Sequence, residues 1–341
     1  MKYMHKLPDA DELLEMYQLT PEQKDARETK IKEVQHILTG RDNRKILLIG
    51  PCSADREDAV VEYMLRLARL QEIVSDRFVI IPRVYTSKPR TNGMGYKGLI
   101  HNPGSANEDD LMDGVIATRK MHLHVIQKTG FYCVDEMLYP ESIYYILDLL
   151  AYAAVGARSV EDQAHRMTAS GLQIPVGMKN PMSGDTTSLL NAISAAQHSH
   201  SMMYRGWDVR TEGNPYAHAI FRGFVNNNGK ACPNYHYEDL CEFHDKYQEF
   251  NLKNMALIID CNHSNSGKRY AEQVRIAKEV CNICKVYKDI NRLVKGLMIE
   301  SYIEDGNQLP GSGVYGKSIT DGCLGWEKTQ ELILELSDNN F

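Results

Sequence analysis

The sequence predicts an α/β protein, a (β/α)8 barrel that carries an N-terminal helical extension and an inserted β-hairpin. Three observations lead to this fold class. Eight short apolar runs have the length of β-strands, segments with helical spacing alternate with them, and polar or charged residues recur just past the strand ends. Eight strands each followed by one helix is the count of a closed barrel, whose chemistry gathers at the carboxyl ends of the strands.

The predicted strands are continuous apolar runs, as expected of parallel strands that are buried on both faces. Their predicted bounds are 46–52, 78–85, 131–138, 154–158, 175–179, 199–204, 255–261 and 294–300. The stretches between and after them show apolar residues three and four positions apart, which is the spacing of amphipathic helices. The predicted helices are 58–73, 108–128, 140–150, 161–170, 187–197, 237–250, 268–286 and 326–336.

Two segments exceed a minimal barrel. Residues 1–45 form an N-terminal extension with helical pieces at 10–17 and 21–38, and the catalytic barrel is expected to span residues 46–341. Residues 205–224 are interpreted as a hairpin inserted after strand six, with a second extended run at 217–224. Such additions usually serve subunit contact, regulation or a lid.

Composition excludes several classes of protein. The chain has 341 residues, 43% of them apolar, and a net charge of -6 with no basic run longer than a dipeptide. Sequence-independent electrostatic binding of nucleic acid is therefore not expected. The longest apolar runs are far shorter than the roughly 20 residues of a membrane helix, and residues 1–17 hold no secretory core. We expect a cytoplasmic protein that does not contact a membrane.

The eight cysteines are irregularly spaced, which favours reduced thiols over a disulfide framework. Cys281 and Cys284 form a CxxC inside a helical pattern. Because no second pair accompanies them, placement on a helix face is favoured over a zinc or redox site.

Four potential metal ligands stand at or just past the ends of predicted strands or in the loops that follow them. They are Cys52, His263, Glu300 and Asp321. A thiol, an imidazole and two carboxylates suit Mn²⁺, Fe²⁺, Co²⁺ or Zn²⁺ and suit Mg²⁺ poorly. The expected cofactor is thus one such divalent ion, although any one of these residues could equally be part of the core.

Basic residues also gather at the predicted strand ends and beside them. They are Arg83, Lys88, Arg90, Arg158, Lys179 and Arg222. Any one of them could form a structural ion pair. Together, without matching carboxylates at neighbouring strand ends, they favour a ligand with phosphate or carboxylate groups, because guanidinium and ammonium groups bind such oxygens.

Seven motifs then identify a family resemblance. They are Ile49-Gly50-Pro51-Cys52-Ser53, Arg83-Val84-Tyr85, Lys88-Pro89-Arg90-Thr91, Gly156-Ala157-Arg158, Pro175-Val176-Gly177-Met178-Lys179-Asn180, Asn262-His263-Ser264-Asn265 and Tyr315-Gly316-Lys317-Ser318-Ile319-Thr320-Asp321. In order, from about residue 10 to the C-terminus, they resemble type I 3-deoxy-D-arabino-heptulosonate 7-phosphate (DAHP) synthases. That family condenses phosphoenolpyruvate with erythrose 4-phosphate on a metal-dependent (β/α)8 barrel, in the first step of the shikimate pathway.

The resemblance implies a role for each matching residue. The divalent metal would be bound by Cys52, His263, Glu300 and Asp321. Phosphoenolpyruvate would be held by Arg83, Lys88, Ala157, Arg158, Lys179 and Arg222, with Glu136 orienting water or Lys179. Erythrose 4-phosphate would be held by Pro89, Arg90, Thr91 and Asp321. Lys88, Cys52 and His263 would be the catalytic residues, with Lys88 as the acid that protonates the nascent alkoxide.

The sequence departs from the family pattern in places and leaves alternatives open. After Asn180 the chain continues Pro181-Met182-Ser183-Gly184-Asp185, where the family often has Gly-Thr-Asp-Gly, and Cys261 replaces a more usual Phe. A sibling family uses arabinose 5-phosphate as the aldehyde, but it carries a Lys-Ala-Asn-Arg-Ser-like sequence in place of Lys88-Pro89-Arg90-Thr91. A catalytically silent regulatory barrel is the other alternative, and the presence of every ligand and cation position speaks against it.

The resemblance also implies regulation by assembly and by small molecules. The extension and the hairpin resemble elements that build an aromatic amino-acid pocket and a subunit interface, so we expect a homodimer or homotetramer inhibited by Phe, Tyr or Trp. Cys323 lies two residues beyond Asp321. It could form a disulfide with Cys52 when metal is lost, or simply pack in the core.

Overall fold

Twelve strands are present in the computed structural model, which describes residues 1–90, 92–104, 110–339 and 341. In chain order they are β1 (Lys45–Gly50), β2 (Phe78–Pro82), β3 (Cys133–Glu136), β4 (Leu150–Val155), β5 (Val176–Lys179), β6 (Ser201–Tyr204), β7 (Trp207–Arg210), β8 (Ala217–Phe221), β9 (Phe224–Val225), β10 (Ala231–Cys232), β11 (Leu257–Asp260) and β12 (Val294–Glu300).

Eight of these strands form a parallel barrel. Their spatial order is β2, β1, β12, β11, β8, β5, β4 and β3. The two outermost strands of that order meet through a bridge between Arg83 and Val134, where the Val84 N–H donates to the Val134 carbonyl at 3.0 Å. The predicted barrel is therefore confirmed, and its strands are almost entirely buried, as the continuous apolar runs require.

Helices cover the barrel. They are α1 (Ala10–Met16), α2 (Pro21–Leu38), α3 (Glu57–Val74), α4 (Leu111–Thr129), α5 (Gln163–Gly171), α6 (Thr186–Gln197), α7 (Tyr237–Glu249), α8 (Glu272–Val286), α9 (Lys288–Leu293) and α10 (Trp326–Asp338). The prediction began the fourth of these at Glu108, which lies outside the described residues. Among the residues described, no helix is both long and apolar enough to cross a membrane.

The N-terminal extension forms two helices as predicted, α1 and α2. Asp9 and Thr20 each cap a helix through a capping box. Arg27 of α2 donates to the carbonyls of Leu147 and Leu150 at 2.9 and 2.8 Å. The extension is thereby fastened at the start of β4.

The hairpin lies before the sixth barrel strand, where the prediction had put it after that strand. The run predicted as strand six contains β6, which pairs antiparallel with β7 outside the barrel, and the barrel strand is β8. The prediction failed because Ser201–Tyr204 has strand-forming residues, yet they alternate between exposed and half-buried positions. The fully buried Ala217–Phe221 is the barrel strand although it contains His218.

The segment between β3 and β4 also differs from the prediction. Two 3₁₀ turns, Ser142–Tyr145 and Leu147–Leu149, replace the helix predicted at 140–150. Strand β4 starts at Leu150, four residues before its predicted start. The apolar run from Leu149 to Val155 was divided wrongly, because short apolar runs fit helix and strand equally well.

Candidate active site

A cavity of about 210 Å³ opens at the carboxyl ends of the barrel strands. Every predicted site residue that the structure describes lines it. These residues are Cys52, Arg83, Lys88, Pro89, Arg90, Glu136, Ala157, Arg158, Lys179, Arg222, His263, Glu300 and Asp321. Thr91 lies outside the described residues.

Three of the four predicted metal ligands converge. Cys52 Sγ and one carboxylate oxygen each of Glu300 and Asp321 lie within 4.8 Å of one another. His263 lies at the edge of this group, with Nε2 3.8 Å from Glu300 Oε1. The residues fit one divalent transition-metal ion, because the donor set combines a thiol, an imidazole and two carboxylates.

Strand pairing places Cys52 near Glu300, because Gly50 at the end of β1 is the register partner of Glu300 in β12. A side chain at Gly50 would put its Cβ only 2.4 Å from the Arg83 carbonyl oxygen, so this turn at the end of β1 requires glycine. Cys52 is buried. Burial raises the pKa of the thiol, as does Glu300, while Lys88 opposes them. A nearby positive charge, whether an ammonium group or a bound metal ion, therefore favours the thiolate.

Lys88 supplies such a charge. Its Nζ donates to Cys52 Sγ at 2.8 Å and lies 3.2 Å from Asp321 Oδ2. Burial alone would lower the pKa of Lys88, but Cys52, Asp321 and Glu300 together raise it well above its usual range. The group is therefore protonated where it lies between Cys52 and Asp321.

Lys268 is a cavity residue that the sequence reasoning missed. Its Nζ lies 3.1 Å from Asp321 Oδ1, whereas Lys88 contacts the other carboxylate oxygen, Oδ2. Burial would raise the pKa of Asp321, but Lys88, His263 and Lys268 lower it far below the usual range. Lys268 lies five residues after His263, in the segment that follows a predicted strand end. That position was the available indication in the sequence that Lys268 could reach the site.

His263 adopts a left-handed backbone conformation with φ of 51°. Its carbonyl accepts from the Lys268 N–H at 2.7 Å, and its Nδ1 lies 2.8 Å from Asp260 Oδ2. A carboxylate beside one ring nitrogen is the arrangement that orients a metal-binding histidine. Left-handed residues other than glycine are uncommon and concentrate at functional sites.

Two buried ion pairs hold the cations deeper in the cavity. Arg83 Nη2 lies 3.0 Å from Glu300 Oε1, and Lys179 Nζ lies 3.1 Å from Glu136 Oε2. Gly156 leaves room for this second carboxylate, because a Cβ there would lie 2.6 Å from Glu136 Oε1. Burial would raise the pKa of Glu136, but Lys179 more than offsets it and lowers the pKa.

Arg222 has a different environment. Among the described residues it forms no ion pair, and its Nη1 lies 3.2 Å from Met182 Sδ. Burial lowers the pKa of Arg222, an effect that the charge of Asp260 opposes and that of Arg158 reinforces. A buried guanidinium without a carboxylate partner is suited to an anionic ligand. Met182, in the segment that departs from the family pattern, shapes this end of the cavity.

The loop after β2 carries Lys88, Pro89 and Arg90 over the cavity. Arg90 Nε donates to the Tyr96 carbonyl at 2.8 Å, within the same loop. The Lys88 N–H donates to the Lys97 carbonyl at 2.9 Å. These bonds close the loop on itself and direct its basic residues toward the rim.

Asp135 anchors the start of that loop, and the sequence reasoning gave it no role. Its Oδ1 accepts from the N–H of Thr86 at 3.0 Å and from the N–H of Glu136 at 2.7 Å. Its Oδ2 accepts from the Thr86 hydroxyl and lies 3.2 Å from His122 Nε2. An acid in a strand that is otherwise buried was the available signal, because such a group must find partners.

Comparisons with known proteins agree on one family. The model of the DAHP synthetase I family matches residues 27–334. The Tyr-sensitive phospho-2-dehydro-3-deoxyheptonate aldolase of Escherichia coli (strain K12) is 38% identical over 314 residues, covering 89% of this chain and 85% of that protein. The Trp-sensitive aldolase of Enterobacter agglomerans is 38% identical over 317 residues, with 90% and 87% covered. The structure of phospho-2-dehydro-3-deoxyheptonate aldolase from Francisella tularensis SCHU S4 superposes with a TM-score of 0.92 at 29% identity, covering 99% of this chain and 98% of that one.

Proposed function

Because the chain belongs to the DAHP synthetase I family and is a 3-deoxy-7-phosphoheptulonate synthase, we propose a specific reaction for its cavity. The cavity joins phosphoenolpyruvate to D-erythrose 4-phosphate, with one divalent metal ion as cofactor. The products are DAHP and inorganic phosphate, in the first step of the shikimate pathway. The observation that carries the proposal is the pairing, in one cavity, of a mixed thiol, imidazole and carboxylate donor set with buried cations.

The metal ion would be held by Cys52, His263, Glu300 and Asp321. When bound, it supplies Lewis-acid polarisation of a carbonyl oxygen. The donor set favours Mn²⁺, Fe²⁺, Co²⁺ or Zn²⁺.

Phosphoenolpyruvate would bind at the deeper end of the cavity. Arg222 and Arg158 would hold its phosphate, Arg83 and Lys179 its carboxylate, and Ala157 would offer a backbone N–H. Their main effect is positioning, since they hold two anions together that would otherwise repel each other. Glu136 would keep Lys179 in place and orient the water that adds to C2.

Erythrose 4-phosphate would bind nearer the rim, against Pro89, Arg90 and Asp321, and the motif Lys88-Pro89-Arg90-Thr91 gives Thr91 the same role. C3 of phosphoenolpyruvate attacks the aldehyde carbon, and Lys88 gives its proton to the oxygen that becomes an alkoxide. Water then adds at C2, and the resulting hemiketal phosphate releases inorganic phosphate by cleavage of its C–O bond.

An aromatic amino acid would bind in a second cavity, of about 590 Å³, between α5 and the hairpin of β6 and β7. Tyr144 and Tyr204 line it with ring centroids 4.4 Å apart. Arg205 at the hairpin turn contacts Asp9 and Asp11 of the extension, so hairpin and extension form one unit. The printed names of the two bacterial relatives describe them as Tyr-sensitive and Trp-sensitive.

A homodimer or homotetramer would form through the same additions. Met203 and Trp207 of the hairpin are 91% and 73% exposed. Large apolar side chains at an exposed hairpin suit a subunit contact. Residues 1–45 would thus serve assembly and regulation and residues 46–341 catalysis. All eight cysteines are free thiols, which supports a cytoplasmic location.

Phosphate release from phosphoenolpyruvate tests the proposal. Purified protein is offered erythrose 4-phosphate or arabinose 5-phosphate, before and after treatment with a chelator and then with added Mn²⁺. We expect turnover with the four-carbon sugar alone, loss of turnover with the chelator, and recovery with Mn²⁺. Turnover that prefers arabinose 5-phosphate, or that ignores the chelator, would contradict the proposal.

Inhibition assays test the second cavity. Phe, Tyr and Trp are added separately at millimolar levels to the wild type and to Tyr204→Ala. We expect one of the three to inhibit the wild type and to inhibit the variant far less, with basal turnover retained. Indifference of the wild type to all three would refute an aromatic effector.

A further inference from the structure

Tyr85 forms part of the floor of the active-site cavity, although the assigned roles leave it out. It follows β2 in Arg83-Val84-Tyr85, lines the cavity and is 3% exposed. Its ring lies under two cations, with the Arg83 Cζ 4.1 Å and the Lys179 Nζ 5.2 Å from the ring centroid. Both distances lie within the range of cation–π attraction.

The Tyr85 hydroxyl has an unusual environment. Within residues 1–90, 92–104, 110–339 and 341, this buried hydroxyl has no hydrogen-bond partner, and neither do Nε and Nη1 of Arg83. Burying an unpaired donor is costly, so native structures almost always supply an acceptor. Burial, opposed by Lys179 and Arg83, raises the pKa of Tyr85 to about 12, so the hydroxyl remains a donor near neutral pH.

No carboxylate of the described residues accepts from the phenol, although Asp260 Oδ2 is itself without a hydrogen-bond partner. Glu136 is paired with Lys179 at 3.1 Å, and Asp260 lies 2.8 Å from His263 Nδ1. An oxygen of a ligand in the cavity is the acceptor that remains for the phenol. The cations over the ring would draw an anionic oxygen to this place.

We propose that Tyr85 is a further binding residue of the phosphoenolpyruvate site, whose ring positions Arg83 and Lys179 and whose hydroxyl donates a hydrogen bond to the bound substrate. The inference rests on the function proposed above. The two parts of the side chain have separable roles, because phenylalanine keeps the ring and removes only the hydroxyl. Leucine removes both while keeping an apolar side chain of moderate size.

The experiment measures equilibrium binding of phosphoenolpyruvate, without the aldehyde, to wild type, Tyr85→Phe and Tyr85→Leu. Hydrogen bonds to charged groups imply a Kd about tenfold higher for Tyr85→Phe. Loss of the cation–π contacts implies a Kd on the order of a hundredfold higher for Tyr85→Leu. In turnover assays KM for phosphoenolpyruvate should rise in the same order, while KM for erythrose 4-phosphate changes less than twofold.

Tyr152→Phe is the matched control. Its hydroxyl is also buried inside the barrel, but it bonds to His218 Nε2 at 2.6 Å and does not line the cavity. The Tyr152→Phe variant should bind phosphoenolpyruvate with the same Kd as the wild type. Thermal unfolding of each variant separates loss of binding from loss of folding.

The outcomes separate the two hypotheses. Wild type that fails to bind phosphoenolpyruvate would overturn the proposed function itself. Wild type that binds, with Tyr85→Phe binding equally well, would overturn the hydroxyl's role alone. Tyr85→Leu that folds and binds like Tyr85→Phe would overturn the role of the ring.

Discussion

Replacement of Lys88 by methionine should separate proton transfer from metal binding. Methionine keeps much of the length of the side chain and removes the charge and the proton. A positioned general acid contributes about 10² to 10⁴ in rate, which corresponds to about 3 to 5 kcal/mol of barrier. We therefore expect kcat of Lys88→Met to fall by at least about a hundredfold.

Metal affinity, unlike kcat, should not fall in this variant. The Lys88 Nζ lies 2.8 Å from Cys52 Sγ and 3.2 Å from Asp321 Oδ2, so it contacts two of the proposed metal ligands. A divalent cation and a unit positive charge about 4 Å apart repel by about 8 kcal/mol at an effective dielectric constant near 20. Part of that repulsion disappears with the ammonium group, and the variant should bind Mn²⁺ at least as tightly as the wild type.

Lys268→Met is the control, because Lys268 also pairs with Asp321, at 3.1 Å, but is 64% exposed. We expect its kcat to fall less than about tenfold. The assays are phosphate release under saturating substrates and Mn²⁺ titration against a competing chelator. If metal content and turnover of Lys88→Met fell in parallel, Lys88 would act through the metal site, and its role as the acid would be refuted.

Three further predictions concern stability, redox state and loop position. Burial lowers the pKa of His218 from 6.5 to about 4, so between these pH values the unfolded chain binds a proton that the folded protein does not. Acidification through this window should lower the free energy of unfolding by up to about 3 kcal/mol. Urea unfolding at several pH values should show a smaller decrease for His218→Gln, and an equal decrease in both proteins would exclude His218 as the cause. Metal-free protein treated with diamide should slowly lose two of its eight titratable thiols, through Cys52 and Cys323, and with them the activity that added Mn²⁺ otherwise restores. Dithiothreitol should return both, and Cys323→Ser should resist. Inactivation with all eight thiols intact would rule the disulfide out. Asp135→Ala should lower kcat about tenfold or more, because the loop is released at Thr86, and Asp135→Asn should lower it less. Equal kcat in the wild type and both variants would show that Asp135 does not anchor the loop.

The barrel and much of its cavity could be predicted because both depend on local patterns. Short buried runs mark parallel strands, and a polar residue directly after such a run lies at the carboxyl end of the sheet, as Cys52 and Glu300 do. The order of hairpin and strand six was not predictable in this way. Ser201–Tyr204 and Ala217–Phe221 are both plausible strands, and only pairing with β5 and β11 selects the second.

Other site residues depend on long-range contacts that no local pattern indicates. Asp135 stands in a strand and contacts Thr86 and His122, which belong to a loop and a helix elsewhere in the chain. Lys268 reaches Asp321 across 53 positions of sequence. Such contacts depend on the closed barrel and can be identified only from the three-dimensional structure.

The distribution of ion pairs in the cavity decides how it attracts substrate. Arg83 and Lys179 each have a carboxylate within 3.1 Å, so a bound anion must share those cations with Glu300 and Glu136. Arg222 forms no ion pair within the described part of the chain, and burial lowers its pKa. A bound anion gains more free energy from a buried cation that has no ion-pair partner than from one whose existing partner it must displace. In the proposed phosphoenolpyruvate site, Arg222 should therefore supply most of the net attraction for the phosphate, while the paired cations chiefly orient the carboxylate.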